Sequence, residues 1–456
     1  MFTLSLIGIF LLWMLWIGWR AHQTSTSTGA HIEHFLIGNR SVAGILVAIG
    51  VSMGWVDANV FSFYTGMAFD KGWGALSIVL GTVLPFLLLA YFAGNIRALG
   101  AKSGMYMMSD FIREKFSKRC GAIVGFATFA YFVLWMLVQF FVGGQVIQAT
   151  TGFAPLTTSL VMGGVVLTYL LLGGFRSQIY TDLAQFGLVA VVLFLLFGRF
   201  VGHATTWVAP AITFGSLSAL SWISLFVVSG AATIGAADVW QRIYSAKSEK
   251  DAKKSMFLSF LIMAVVYSVM CAFGMIIKYY GWATSSNDIA PAIFSHIVPD
   301  FLLPFAVVML FAVIMSTIAT TLFGSAMALS NDLLYGSGFI ARERIYFWQR
   351  IFMVIILVAG IGIASSGINI ISVVLSSFAA CLVPLPILLA MLYKIELDER
   401  SVFWSMLVSA CVFVLGVIFA FLNDTYALLP LVAGVGVLVI VEIFIRLRPT
   451  YRKMSA

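Results

Sequence analysis

The stretch SMGWVDANVFSFYTG, Ser52 to Gly66, decides how this chain is read. It lies midway through an apolar run from about Gly44 to Phe69. That run is long enough to cross a bilayer, which takes ~20 residues of helix. Asp57 and Asn59 nonetheless fall close to its centre. A carboxylate there costs ~2.5–3.5 kcal/mol on insertion scales. Gly54 relaxes the backbone, and Asp57, Asn59 and Ser62 can bond the N–H and C=O groups that a broken helix releases. Irregular backbone at membrane depth is tolerated only where protein buries it or it lines a wet cavity. The segment therefore reads as half of a site for a cation and a small solute. The competing reading is a polar helix face packed on a neighbour, with no ligand.

The rest of the chain agrees with a membrane setting. Of 456 residues, 62% are hydrophobic and 10% charged, a composition outside the range of soluble domains. The class is an all-α polytopic membrane protein. The net charge of +8 needs no nucleic-acid partner. Of the 26 Lys and Arg, all but Lys71, Arg199 and Lys278 fall in loops placed in the cytoplasm by the positive-inside rule. This puts the N-terminus outside and the C-terminus inside a plasma membrane, the inner membrane in a bacterium. Cys120, Cys271, Cys381 and Cys411 offer no disulfide pairing. Met1 to Trp19 lacks a basic start and a small-residue cleavage site, so it reads as a retained helix.

Thirteen spans are expected. The sequence divides into a leading helix and loop (1–41), a five-helix set (42–205), a second five-helix set (206–395) and two trailing helices with a tail (396–456). In the loop after the first span, His31 and His34 flank Glu33 without a third metal ligand, and a solvated loop is expected. SDFIREKF, from Ser109, reads as an amphipathic helix on the inner surface with Ser109 as its cap. Gly173 and Gly174 make a tight turn, and Pro384 and Pro386 kink a late span. Glu442 and Arg446 are spaced for an intrahelical ion pair.

A second break appears in SGAATIGAAD, Ser229 to Asp238. Two Gly-interrupted spans open two sets of five. An odd number per set inverts the halves, and such paired breaks point to the midplane site of a secondary transporter. In Phe301–Leu329, Ser316 and Thr320 stand four apart, as do Thr317 and Thr321. Each pair shares a helix face. A hydroxyl ladder opposite freed backbone carbonyls suits sodium, although such hydroxyls also bond their own helix. Asp182 could hold a second cation, act as a relay on the exit path, or be an interface residue capped by Thr181 or Ser177; Asp238 ends the second broken helix, where it could simply face water. The groups expected around a solute are Trp55, Asp57, Asn59, Phe63, Gln145 and Trp240, with no buried Arg or Lys among them.

These pieces resemble the sodium:solute symporter family. The resemblance covers about residues 35–395 and is carried by FLIGNRS (35–41), GGFRSQIYTDLAQ (173–185), QRIYSAKSEKDA (241–252) and AVIMSTIATTLFGSAMALSNDLL (312–334). It implies a LeuT-type 5+5 inverted repeat with one leading and two trailing helices, and sodium (Na+) as the coupling ion. It also implies a sodium site of the Met53, Val56 and Val313 carbonyls with the Ser316 and Thr317 hydroxyls. Asp182 and Thr320 match a second sodium site of some members, where Ala319 replaces a hydroxyl. Members with an acidic residue in the first break often carry it where this chain has Trp55, which turns Asp57 toward the solute. The function implied is sodium-coupled import of a small organic solute. A proton-coupled or uncoupled carrier is the near rival. A sensor keeping the fold is weakened because no kinase domain follows Ala456, and an intramembrane enzyme because no metal cluster or acyl-transfer motif is found.

Overall fold

The computed structural model describes residues 2–25, 31–202, 217–285, 288–366 and 370–447. Among these, all regular structure is helical. Helix α1 (Phe2–Ser25) leads to the short α2 (His31–Ile37). The broken segment becomes α3 (Gly44–Trp55) and α4 (Thr65–Lys71), joined through a π-helical turn at Val60–Tyr64. Next come α5 (Leu76–Val83), α6 (Pro85–Ser103), the short α7 (Met108–Lys115), α8 (Lys118–Thr151) and α9 (Pro155–Gly202). The second break separates α10 (Ala219–Gly235) from α11 (Ala237–Ser245). The chain continues through α12 (Glu249–Tyr280), α13 (Ile289–Ala292), α14 (Leu303–Met327) and α15 (Ile345–Ser365). It closes with α16 (Ile370–Cys381), α17 (Leu385–Leu392), α18 (Glu399–Ile418) and α19 (Leu429–Leu447).

Ten helices among the described residues are long and apolar enough to cross a membrane, or eleven if the bent pair α16 and α17 forms one span. Two stretches, Val60–Ser103 and Pro155–Gly198, run 44 residues each, about twice a bilayer's need. Each covers more than one of the expected spans, which is why the helix count falls below thirteen. The fold in Pro155–Gly202 comes at Gly174, whose φ of 57° and ψ of −140° interrupt the helix. The expected proline kink appears as a 40° bend between α16 and α17.

Local chemistry sets the helix ends. Ser117, Ser218 and Ser248 each accept the N–H three residues on, while Gly104, Gly152 and Gly281 close α6, α8 and α12 in the left-handed conformation. Ser109 is not the cap of α7: the helix starts a residue earlier, and Asp110 Oδ2 takes the Tyr106 and Met107 N–H groups at 2.7 and 3.0 Å. The loop expected around His31 and Glu33 is helical, and His34 is buried, 2.8 Å from Arg176 Nη1. Arg446 pairs with Glu442 at 2.9 Å as expected from their spacing.

Helix α14 is the core of the bundle. The span containing it is 94% buried, against 22% for the first and 11% for the last. Around it pack α8, α9, α15, α1 and α3. The broken helices meet at one end through a parallel bridge between Val42 and Ala246. Val42 N–H donates to the Ser245 carbonyl at 3.1 Å, and Lys247 N–H to the Val42 carbonyl at 2.8 Å. Arg40 adds a bond to the Met105 carbonyl at 2.7 Å, and Arg97 donates to the Ala246 carbonyl.

Candidate cation and solute site

Helix α3 stops at Trp55 because Val56 turns extended, with φ −85° and ψ 92°. The freed groups are met by side chains, as buried backbone requires. Asp57 Oδ1 accepts the Asn59 N–H at 2.9 Å. Its Oδ2 accepts Asn59 Nδ2 at 2.9 Å and Gln139 Nε2 at 2.7 Å. Gln139 Oε1 in turn accepts the Ala58 N–H at 3.2 Å. Asp57 is wholly buried, and its hydrogen-bond donors are neutral.

Across the break, α14 presents its hydroxyls. Thr317 Oγ1 lies 3.4 Å from the Met53 carbonyl, 3.5 Å from that of Gly54 and 3.2 Å from that of Val313. One hydroxyl proton cannot serve three carbonyls, so four oxygens converge with lone pairs to spare. Such a set suits a hard cation like sodium. Ser316 Oγ donates to Asp182 Oδ1 at 2.6 Å, which commits its proton and leaves its lone pairs on the oxygen. The Val56 carbonyl leaves the α3 ladder at the extended turn, as helix-terminal carbonyls do.

Behind this cage lies an ion-paired cluster. Arg242 of α11 is 2% exposed and reaches Asp182 Oδ2 at 2.9 Å, Thr320 Oγ1 at 3.2 Å and Asp238 Oδ2 at 3.6 Å. Asp238 Oδ2 also accepts Trp55 Nε1 at 3.2 Å, and Thr320 Oγ1 accepts Gln178 Nε2 at 2.7 Å. Asp182 is therefore not capped by Thr181 or Ser177, and Asp238 does not face water. The expectation of no buried Arg is overturned: Arg242, placed in a cytoplasmic loop by its basic surroundings, belongs to a wholly buried half-helix.

The structure gathers Met53, Trp55, Val56, Asp57, Asn59, Val313, Ser316 and Thr317 around the first break. Asp182 and Thr320 lie one layer behind. Trp55 packs against Phe86 and Trp135, with ring centroids 6.0 and 6.4 Å apart. Phe63 is buried against the Tyr64 ring in the π-helical turn. Gln145 is not brought in, being exposed on α8. The glutamine that meets the break is Gln139, six residues earlier and on another face of the helix. Trp240 also lies elsewhere: its indole donates to the Ile234 carbonyl at 2.7 Å and its ring packs 5.5 Å from Phe111. Gln139, Gln178, Asp238 and Arg242 are the residues the sequence reading left out of the site. Each is a polar group in or beside an apolar span, and that was the available signal.

A profile of the sodium:solute symporter family matches residues 35–409. The osmoregulated proline transporter of Bacillus subtilis is 26% identical over 353 residues, covering 72% of this chain and 70% of that protein. The sodium/pantothenate symporter of Escherichia coli is 26% identical over 190 residues, 41% of this chain and 39% of that protein. Among solved structures, the substrate-bound outward-open state of a Na+-coupled sialic acid symporter aligns with a TM-score of 0.77 at 14% identity over 97% of each chain. That likeness establishes the shared fold.

Proposed function

The chain belongs to the sodium:solute symporter family and is a sodium-coupled importer of a small organic solute rather than an enzyme; from that premise we propose where the ion and the solute bind. Sodium takes the Met53, Val56 and Val313 carbonyls with the Ser316 and Thr317 hydroxyls. The convergence of the Met53, Gly54 and Val313 carbonyls on Thr317 Oγ1 carries this reading. The solute binds on the other side of the break, against Asp57, with Trp55, Asn59 and Phe63 nearby. A buried carboxylate held only by neutral donors favours a ligand with a positive nitrogen, an amine or a zwitterion. Proline, the solute in the name of the Bacillus relative, is such a zwitterion.

The proposed architecture has thirteen crossings of a bacterial inner membrane, the N-terminus outside, and inverted five-helix sets at 42–205 and 206–395. Coupling by protons is the second reading, favoured by Asp57, a carboxylate with no cationic hydrogen-bond partner among the described residues.

The test is sodium-induced thermal stabilisation of the purified protein, with potassium as control. In a Ser316→Ala/Thr317→Ala double variant, the sodium concentration for half-maximal stabilisation should rise at least tenfold, about 1.4 kcal/mol. An unchanged sodium dependence in the folded double variant refutes the site. Stabilisation of the parent protein by acid pH and not by sodium favours the proton reading.

A further inference from the structure

Asp182 and Thr320, the pair that resembles a second sodium site, already hold a cation that belongs to the chain. The Arg242 guanidinium lies 2.9 Å from Asp182 Oδ2 and 3.2 Å from Thr320 Oγ1. We infer that Arg242 is a tethered cation standing in for a second sodium, so that the protein binds one sodium ion per transport cycle. This rests on the sodium cage proposed at Met53 and Thr317.

The hydrogen-bond count around Thr320 is the first argument. Its hydroxyl donates to the Ser316 carbonyl at 3.1 Å and accepts from both Arg242 Nη2 and Gln178 Nε2. A hydroxyl has one proton and two lone pairs. All three are engaged, and no lone pair remains for a metal. Ala319, beside it, offers no side-chain oxygen.

Shape is the second argument. Helix α3 is pared to glycine where the guanidinium lies against it. A Cβ at Gly50 would stand 2.9 Å from Arg242 Nε, and one at Gly54 would stand 3.1 Å from Nη1. The slot has room for the planar guanidinium because side chains are absent on that face.

Charge is the third. Asp182, Asp238 and Arg242 are buried together and sum to one negative charge. A single sodium in the adjacent cage brings the group to neutrality. Arg242 thus already supplies, at Asp182, the positive charge that a second sodium would bring there, and a second cation beside the buried guanidinium would meet like-charge repulsion.

The experiment counts bound ions with radioactive sodium alone, on the purified full-length chain at saturation. The parent protein should bind one sodium per chain with non-cooperative saturation. Arg242→Gln frees Asp182 and Thr320 and should bind two. Arg242→Gln/Asp182→Asn removes the carboxylate and should return to one. Two ions on the parent protein overturn the inference while leaving the first cage standing. Zero ions remove that cage and the inference with it. A folded Arg242→Gln protein that still binds one ion also overturns it. Should that variant fail to fold, the count on the parent protein decides the matter.

Discussion

Asp57 takes its hydrogen bonds from one backbone amide and two side-chain amides, with no positive charge donating to it. The carboxylate is thus held in place and left electrically uncompensated. Asp57→Asn keeps the shape and removes the charge. We predict that solute binding weakens by about 2–5 kcal/mol, the cost of leaving a partner's charge unpaired in a buried site. Sodium stabilisation without solute should change far less. Isothermal titration with solute, beside a sodium melt, separates the two; loss of sodium stabilisation instead would move Asp57 into the cation site. The importance of this residue was legible from its position in an apolar run. Its partner was not. Gln139 and Gln145 both interrupt α8, and only three-dimensional packing decides which faces the break. Arg242 was hidden for another reason. It is the second residue of the basic stretch QRIYSAKSEKDAKKS, and charge density marks such a stretch as a loop. The helix break just before it lets α11 turn back into the core.

Glycines do unequal work along the helices. Gly174 has φ +57°, and a Cβ there would lie 2.5 Å from Phe35 Cδ2 and 2.6 Å from the Phe35 carbonyl oxygen. At Gly164, ten residues earlier on the same element, an added Cβ would meet nothing within 4 Å. Gly174→Ala should destabilise by about 1–3 kcal/mol through backbone strain and collision. Gly164→Ala should be neutral or slightly stabilising, since alanine is the better helix former. Thermal unfolding followed by tryptophan fluorescence compares them directly, and equal melting points would remove the special role of Gly174. The turn itself was readable from the glycine pair. The near-continuity of the helices around it was not, because periodicity marks a surface and not an end. For the same reason both breaks were visible as polar, glycine-rich interruptions, while the π-helical turn after the first was not.

The whole molecule is built around α14, with peripheral helices facing lipid. Its sidedness can be read with cysteine labels. Three native cysteines are buried and Cys411 is exposed, so Cys411→Ser gives a quiet background. Lys250→Cys and Thr284→Cys, at opposite ends of α12, should react with an impermeant reagent from opposite sides of the membrane. Reaction from the same side would refute the crossing between them. The architecture was legible because the paired breaks and basic loops are properties of composition, which sequence carries directly. The count of helices was not, because two pairs of expected spans share uninterrupted or barely interrupted helical backbone.

The bridge between Val42 and Ala246 has a kinetic consequence. The Val42 and Lys247 amides stitch the start of one broken helix to the end of the other. A water-filled vestibule opening at that end must either part this seam or pass around it. Parting it exposes both protons to deuterium at the same frequency, so their exchange becomes a clock for the opening. Matched exchange that slows when sodium is added would mean that the ion holds the seam shut. Protection indifferent to sodium would mean that the two stitched ends travel as one rigid piece while the surrounding helices move.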